Sequence, residues 1–309
     1  KKNTKIFLNK IIESLKKLIM NEITLSAYGK INLALDIIGK RPNGYHDVRM
    51  VMQSVGLHDT LRIKKCSGTG ITLSTEQKEL KNPQENLAVR AAALLKEEFH
   101  IKDGLFIELK KEIPIAAGMA GGSTDAAAAL YAVNELFSLG MNQKELASYG
   151  VRLGADIPYC LLGGTALSEG IGEILTALPP APNCFVLLVT PRIPISTKYV
   201  YEHFDALIAP KHPDIDGMIQ AIEQNNYIKM TQKLENILEL VTISKTPIIA
   251  KIKEQMMTMG ADNALMSGSG PTVFGLFSKE TACKNASAWF SSHKQELNIF
   301  SYLTHFQHL

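Results

Sequence analysis

A chain of 309 residues is long enough for one large domain or two modest ones, and 46% hydrophobic with 20% charged residues is the composition of an ordinary globular protein. The net charge of +3, with no basic patch interleaved with aromatics, argues against nucleic acid as a partner, and no apolar run reaches the roughly 18–20 residues that cross a bilayer. Cys66, Cys160, Cys184 and Cys283 lack C-x-x-C spacing, which points to reduced structural thiols in a cytoplasmic protein, not a disulfide framework or zinc site.

Residues 1–20 are Lys-rich, with Leu8, Ile11, Ile12, Leu15, Leu18 and Ile19 at helical spacing. The segment reads as an N-terminal extension, since Met20 directly precedes a strand pattern; a membrane-surface or partner-docking helix has the same signature. From there, Ile23–Ile38 predicts a long strand and Arg41-Pro42-Asn43-Gly44 a turn. Val48–Val55, Leu61–Lys65 and Ile71–Leu73 predict three further strands. Asn86–Phe99 predicts an amphipathic helix and Leu105–Leu109 a strand. Helices are expected over Ser123–Phe137 and Gln143–Leu153, followed by loop and strand over Ala155–Glu173. Leu178-Pro179-Pro180-Ala181-Pro182 is a rigid stretch that continues neither helix nor central strand, and it divides the chain into an expected domain at 21–178 and a second at 179–309. Beyond it come a strand at Phe185–Val189, mainly helical segments through Gly260 (Pro247–Met259 the clearest), two strands flanking Ser267-Gly268-Ser269-Gly270-Pro271, a helix near Thr281–Ser292 and a last strand from Ile299. The class is α+β, in two lobes.

The stretch between the strand at Leu105 and the helix at Ser123 carries the most chemical information. Pro114-Ile115-Ala116-Ala117-Gly118-Met119-Ala120-Gly121-Gly122-Ser123-Thr124-Asp125 places small residues and two hydroxyls directly before an Ala-rich helix. Unpaired amides at a helix start carry the positive end of its dipole and favour phosphate, and small side chains let phosphate oxygens approach them. The loop lacks the Lys of a Walker sequence and the glycine order of the dinucleotide fingerprint. Taken alone, it is equally a glycine-rich turn with Ser123 or Thr124 capping the helix.

Two further motifs, one on each side of that loop, give it a context. Ala27-Tyr28-Gly29-Lys30-Ile31-Asn32-Leu33-Ala34-Leu35 precedes it, and Met266-Ser267-Gly268-Ser269-Gly270-Pro271-Thr272-Val273-Phe274 follows. In this order the three resemble the GHMP kinases, small-molecule kinases that include galactokinase, homoserine kinase and mevalonate kinase. Arg41-Pro42-Asn43-Gly44-Tyr45-His46, Gly154-Ala155-Asp156-Ile157-Pro158 and the Ser123-Thr124-Asp125-Ala126-Ala127 ending narrow the resemblance to the branch that phosphorylates a cytidine diphosphate methylerythritol acceptor in the non-mevalonate route to isoprenoid precursors. Ala116, Met119 and Ala120 stand where many relatives have glycine, leucine and glycine.

The resemblance implies a two-lobed fold, with an N-terminal lobe like the second domain of ribosomal protein S5 and a C-terminal ferredoxin-like lobe, the active site lying in the cleft between them. It implies ATP as donor, with Mg²⁺, whose carboxylate ligand the sequence leaves unassigned; Ser123 is either a hydroxyl ligand to the metal or a phosphate donor. Lys30 and Asp156 become the catalytic pair, Asp156 accepting the proton of the attacking hydroxyl and Lys30 holding it ionised. Pro114, Ala116, Ala117, Gly118, Met119, Ala120, Gly121, Gly122, Ser123 and Thr124 become the ATP phosphate loop, with Asn86 and Lys111 on the adenine side. Tyr45, His46, Thr197 and Tyr201 become the pyrimidine and substrate binders, with Asn32 beside Lys30 because residues two apart on a strand share a face. Without that resemblance, Asp156 reads as a turn cap, Lys30 as a solvent-facing strand lysine, Tyr45-His46 as a hairpin shoulder and Asn86 as a helix cap. An acceptor of homoserine or mevalonate type, or a nucleotide-sensing regulator without chemistry, are the competing functions; the protein is expected as a monomer or homodimer.

Overall fold

The computed structural model describes residues 20–80 and 82–308, so the helical spacing noted over residues 1–19 lies outside the described residues. The chain forms two compact units, one taking in residues up to 27, 59–111 and 122–161, the other 28–58, 112–121 and 162–309. Two long strands, β1 (Glu22–Lys40) and β2 (His46–Cys66), each contribute one part of their length to each unit.

In the first unit the C-terminal part of β2 pairs antiparallel with β4 (Gly104–Lys110), Leu61 opposite Leu109 and Ile63 opposite Ile107, while β3 (Ile71–Thr75) runs parallel to β4. Helices α1 (Leu87–Glu98), α2 (Gly121–Leu136), α3 (Gln143–Gly150) and α4 (Ile157–Leu162) complete this unit. Its core joins Leu61, Ile63, Leu105 and Ile107 to the Ala-rich inner faces of α1 and α2. Each fully buried Leu or Ile there contributes roughly 1.5–3 kcal/mol of apolar burial. Alanines at 126, 127, 129 and 132 let α2 approach the strands closely.

In the second unit the central part of β1 pairs in parallel with the short β8 (Glu235–Asn236), and β2 pairs antiparallel with β5 (Thr165–Glu169), which in turn pairs with β6 (Ile174–Ala177). A separate four-stranded sheet has the order β11 (Ile299–His305), β7 (Phe185–Pro191), β10 (Val273–Phe277), β9 (Asn263–Met266), every neighbouring pair antiparallel. Strands β7 and β9 are therefore parallel with β10 inserted between them, the split βαβ arrangement of ferredoxin-like folds. Between them run α5 (Thr197–Phe204), α6 (Ile215–Glu223), α7 (Tyr227–Gln232), α8 (Glu239–Lys245) and α9 (Ile248–Thr258), and α10 (Glu280–Ser292) links β10 to β11. All four cysteines are free thiols, and burial pushes those of Cys184 and Cys283 up. No helix among the described residues is long and apolar enough to cross a membrane.

Three local expectations are corrected. The predicted strands at Val48–Val55 and Leu61–Lys65 are one strand, because Leu57, Asp59, Leu61 and Ile63 carry burial on alternate residues straight through the supposed break. Helix α2 begins at Gly121, two residues before Ser123, so neither Ser123 nor Thr124 is its cap. A short helix, α4, lies within 155–173, where only loop and strand were expected; Pro158 is tolerated in its first turn, where an amide hydrogen has no helical acceptor.

Candidate active site

Within the second unit, the three motifs converge. Gly118 sits at φ 76°, and its carbonyl oxygen accepts from Lys30 Nζ at 3.1 Å and from Ser267 Oγ at 2.9 Å. The Lys30 amide donates to the Met119 carbonyl at 3.1 Å, and the Thr272 amide to that of Ala117 at 3.4 Å. Met119 and Ala117 turn their side chains into the core. A Cβ at Gly118 would overlap the Ser267 carbonyl oxygen, so only glycine permits this approach.

These contacts consume carbonyls and leave amides. The N–H groups of Gly118, Met119 and Ala120 donate to no group among the described residues. Ala116, Gly118 and Ala120 have φ values of 53°, 76° and 56°, whereas Ala117 and Met119 between them do not have positive φ. Alternation of left- and right-handed residues turns successive amides toward one side and makes an anion-binding nest. The Ala116 and Ala120 substitutions thus keep a conformation that glycine would adopt more easily.

The third motif is itself held rigidly. The buried Asn236 donates from Nδ2 to the carbonyls of Met266 at 2.7 Å and Gly268 at 2.8 Å. Glu239 Oε1 accepts the Met266 amide at 2.8 Å while both its oxygens bind Lys253 Nζ. Thr197 Oγ1 and Ser269 Oγ lie 2.9 Å apart, so the expected substrate residue on α5 touches the same turn.

Lys30 is buried, with Nζ donating to Asn32 Oδ1 at 2.7 Å as well as to Gly118. An ammonium carries three N–H donors, so one remains for an incoming group. Asn32 completes its amide on the Met50 sulfur at 3.2 Å. Farther along the same unit, Tyr45 is 60% exposed, whereas His46 is buried against Tyr201, ring centroids 5.1 Å apart and planes inclined at 48°. His46 Nε2 lies 2.6 Å from Asp205 Oδ1, and Lys40 Nζ is 2.5 Å from the other oxygen of that carboxylate. Burial would raise the Asp205 carboxyl, but its bonds to Lys40 and His46 outweigh that and hold it below its ordinary range.

Pro114 and Gly121 belong to the second unit with the loop, while Gly122, Ser123, Thr124, Asn86, Lys111 and Asp156 belong to the first. Asp156 is half-buried immediately before α4, and its carboxylate makes no hydrogen bond or ion pair among the described residues. Ser123 is partly exposed in the first turn of α2; Thr124 is buried beside it. Asn86 caps α1, its Oδ1 accepting from the amides of Ala88 at 3.0 Å and Val89 at 3.3 Å. Lys111 has its ammonium enclosed between the Asp59 and Asp125 carboxylates, with 2.7 Å to Asp125 Oδ2. Asp125 Oδ1 is buried without a hydrogen-bond partner among the described residues, and burial pushes this carboxyl up to about 7 despite Lys111.

Asp205, Lys40, Asn236 and the Asp59–Lys111–Asp125 triad escaped the sequence reading. Asp125 lay inside a recognised motif, and Asp59 on the buried alternation of β2; nothing local marks Asp205 as the partner of a histidine 159 positions earlier. Among the described residues no three His, Cys, Asp or Glu side chains are grouped to hold a metal ion.

Comparison with known proteins agrees with this geometry. The model for the GHMP kinase N-terminal domain matches residues 86–164 and that for the C-terminal domain residues 211–293. The 4-diphosphocytidyl-2-C-methyl-D-erythritol kinase of Lachnoclostridium phytofermentans is 54% identical over 86% of this chain and 92% of its own length. The enzyme of that name from Clostridium perfringens strain 13 is 47% identical over 82% of this chain and 88% of its own. A crystal structure of a 4-(cytidine 5'-diphospho)-2C-methyl-D-erythritol kinase superimposes with a TM-score of 0.77 at 27% identity, covering 92% of this chain and 99% of that one. Homoserine kinase from Cytophaga hutchinsonii shares the fold, with a TM-score of 0.73 at 19% identity over 94% of this chain and 95% of that one. Motifs that meet in space and relatives that match along most of their length give one result: the chain belongs to the GHMP kinases and, within them, to the 4-diphosphocytidyl-2-C-methyl-D-erythritol kinase family.

Proposed function

We propose that this protein transfers the γ-phosphoryl group of ATP to the 2-hydroxyl of 4-diphosphocytidyl-2-C-methyl-D-erythritol, releasing ADP and the 2-phosphate. The observation that carries the donor half is the loop at Gly118: its carbonyls are spent on Lys30, Ser267 and Thr272, and the amides of Gly118, Met119 and Ala120 donate to nothing among the described residues. A backbone so arranged is already organised for phosphate oxygens and loses little on binding them. Residues 114–124 hold the donor phosphates, with Asn86 and Lys111 marking the adenine side.

Phosphoryl transfer asks a protein chiefly for position and charge. Asp156, with no competing partner among the described residues, accepts the proton of the attacking hydroxyl. Lys30, anchored by Asn32 and Gly118, directs its remaining N–H toward the transferring group and offsets the charge that builds there. When bound with ATP, Mg²⁺ neutralises phosphate charge; phosphate oxygens and the Ser123 hydroxyl are its proposed ligands. Tyr45, His46 and Tyr201 supply the aromatic surface for the cytosine ring, and Thr197 orients the substrate beside Ser269.

ADP release measured with the cytidyl acceptor, homoserine and mevalonate separates the acceptors. Turnover confined to the cytidyl acceptor is expected; turnover with either of the others and none with it overturns the proposal.

A further inference from the structure

We infer that Asp205 is a specificity-determining residue that fixes the protonation pattern of His46, so that its imidazole distinguishes cytosine from uracil. The inference rests on the reading of His46 and Tyr201 as pyrimidine binders and deepens it. A carboxylate only accepts hydrogen bonds at neutral pH, so the 2.6 Å contact requires His46 Nε2 to carry the hydrogen and donate it to Asp205 Oδ1. In the neutral ring, Nδ1 is then a lone pair. It makes no hydrogen bond among the described residues and is the polar edge that remains for a ligand.

Lys40 steadies the carboxylate: the second Asp205 oxygen is bound to Lys40 Nζ, which leaves Oδ1 directed at His46 Nε2. Helix α5 supplies both other components: Tyr201 meets the His46 ring, and Asp205, one turn later, ends the helix. The imidazole is thus gripped at its face and at one nitrogen while the other stays free.

An acceptor in that place matches an exocyclic amino group and opposes a carbonyl. Cytosine carries an amino group at the ring position where uracil carries oxygen. His46 Nδ1 accepts from the first and repels the second, a discrimination a flat aromatic sandwich cannot provide. Asp205 touches neither base, so it acts as a positioning residue for His46.

The test is equilibrium binding of cytidine diphosphate and uridine diphosphate to the full chain by calorimetry, with KM for ATP as the control for an intact donor site. The unmodified protein is expected to favour cytidine diphosphate by on the order of ten-fold or more. Asp205→Ala should bring that ratio close to one with KM for ATP within about two-fold. Asp205→Asn, which keeps an acceptor for Nε2–H, should retain most of it. Lys40→Met, a change at an exposed side chain that threatens no core, should lower the ratio about two- to three-fold by loosening the Asp205 carboxylate that orients His46. A protein that discriminates, with Asp205→Ala and Lys40→Met discriminating as well, overturns the inference and leaves the pyrimidine reading standing. A protein that binds neither nucleotide overturns both.

Discussion

At the scale of single residues, the decisive contrast is between carboxylates that are engaged and one that is not. Asp59, Asp125 and Asp205 are tied to lysines; Asp156 faces no partner among the described residues and is free to serve a substrate. Asp156→Asn keeps the shape and removes the proposed base, so kcat should fall about 10²- to 10⁴-fold while ATP affinity, read by nucleotide titration, stays within a few-fold. Asp125 makes a different prediction. Its carboxyl is raised to about 7 in the folded protein, so between pH 4 and 7 the folded state binds a proton that the unfolded chain has lost. The stability tied to this group is full below about pH 4 and is lost as pH rises toward 7. Depressed groups such as Asp205 act in the opposite sense, so the quantity to follow is the difference between the unmodified protein and Asp125→Asn in thermal unfolding. The variant should gain relative stability across that window and show no further gain above it.

At the scale of elements, the loop at Ala116–Ala120 fits its frame by conformation more than by side-chain chemistry. Gly118→Ala meets both a positive φ and the Ser267 carbonyl, so urea unfolding should show a loss of at least about 1–3 kcal/mol and ADP formation should fall with it. Ala120→Gly relieves a left-handed alanine and should be neutral within about 1 kcal/mol. Equal losses in the two variants would contradict the backbone account. Removing the clamp by Asn236→Ala leaves the Met266 and Gly268 carbonyls unsatisfied in a buried setting and should cost about 1–3 kcal/mol for each lost partner. The sequence made the loop legible because glycine and alanine before an Ala-rich helix have few alternatives. It hid the course of β2, because Gly56 and Asp59 look like breakers to local propensity; the buried ammonium of Lys111, the residue that follows β4, makes Asp59 tolerable on a core-facing position.

At the scale of the whole molecule, the α+β class and most elements were readable from periodicity, while the composition of each compact unit was not. Both units gather segments distant in sequence, and strands β1 and β2 serve both, a result of long-range pairing that no window of residues encodes. The site divides in the same way. Lys30, the Gly118 loop and the Ser267 turn were separately recognisable, but their meeting rests on hydrogen bonds to backbone carbonyls of the loop, donated by Lys30 Nζ, Ser267 Oγ and the amides of Lys30 and Thr272. The His46–Asp205–Lys40 cluster lay beyond sequence reasoning because its members gain meaning only from one another. All of this bears on one claim: that the chain phosphorylates a cytidyl methylerythritol at its 2-hydroxyl. The most direct check is phosphorus NMR and mass analysis of the product formed from ATP and that acceptor. A new phosphomonoester on the 2-oxygen, appearing in step with ADP, is the result predicted; an unaltered acceptor, with ATP consumed only when homoserine or mevalonate is supplied, would contradict the account.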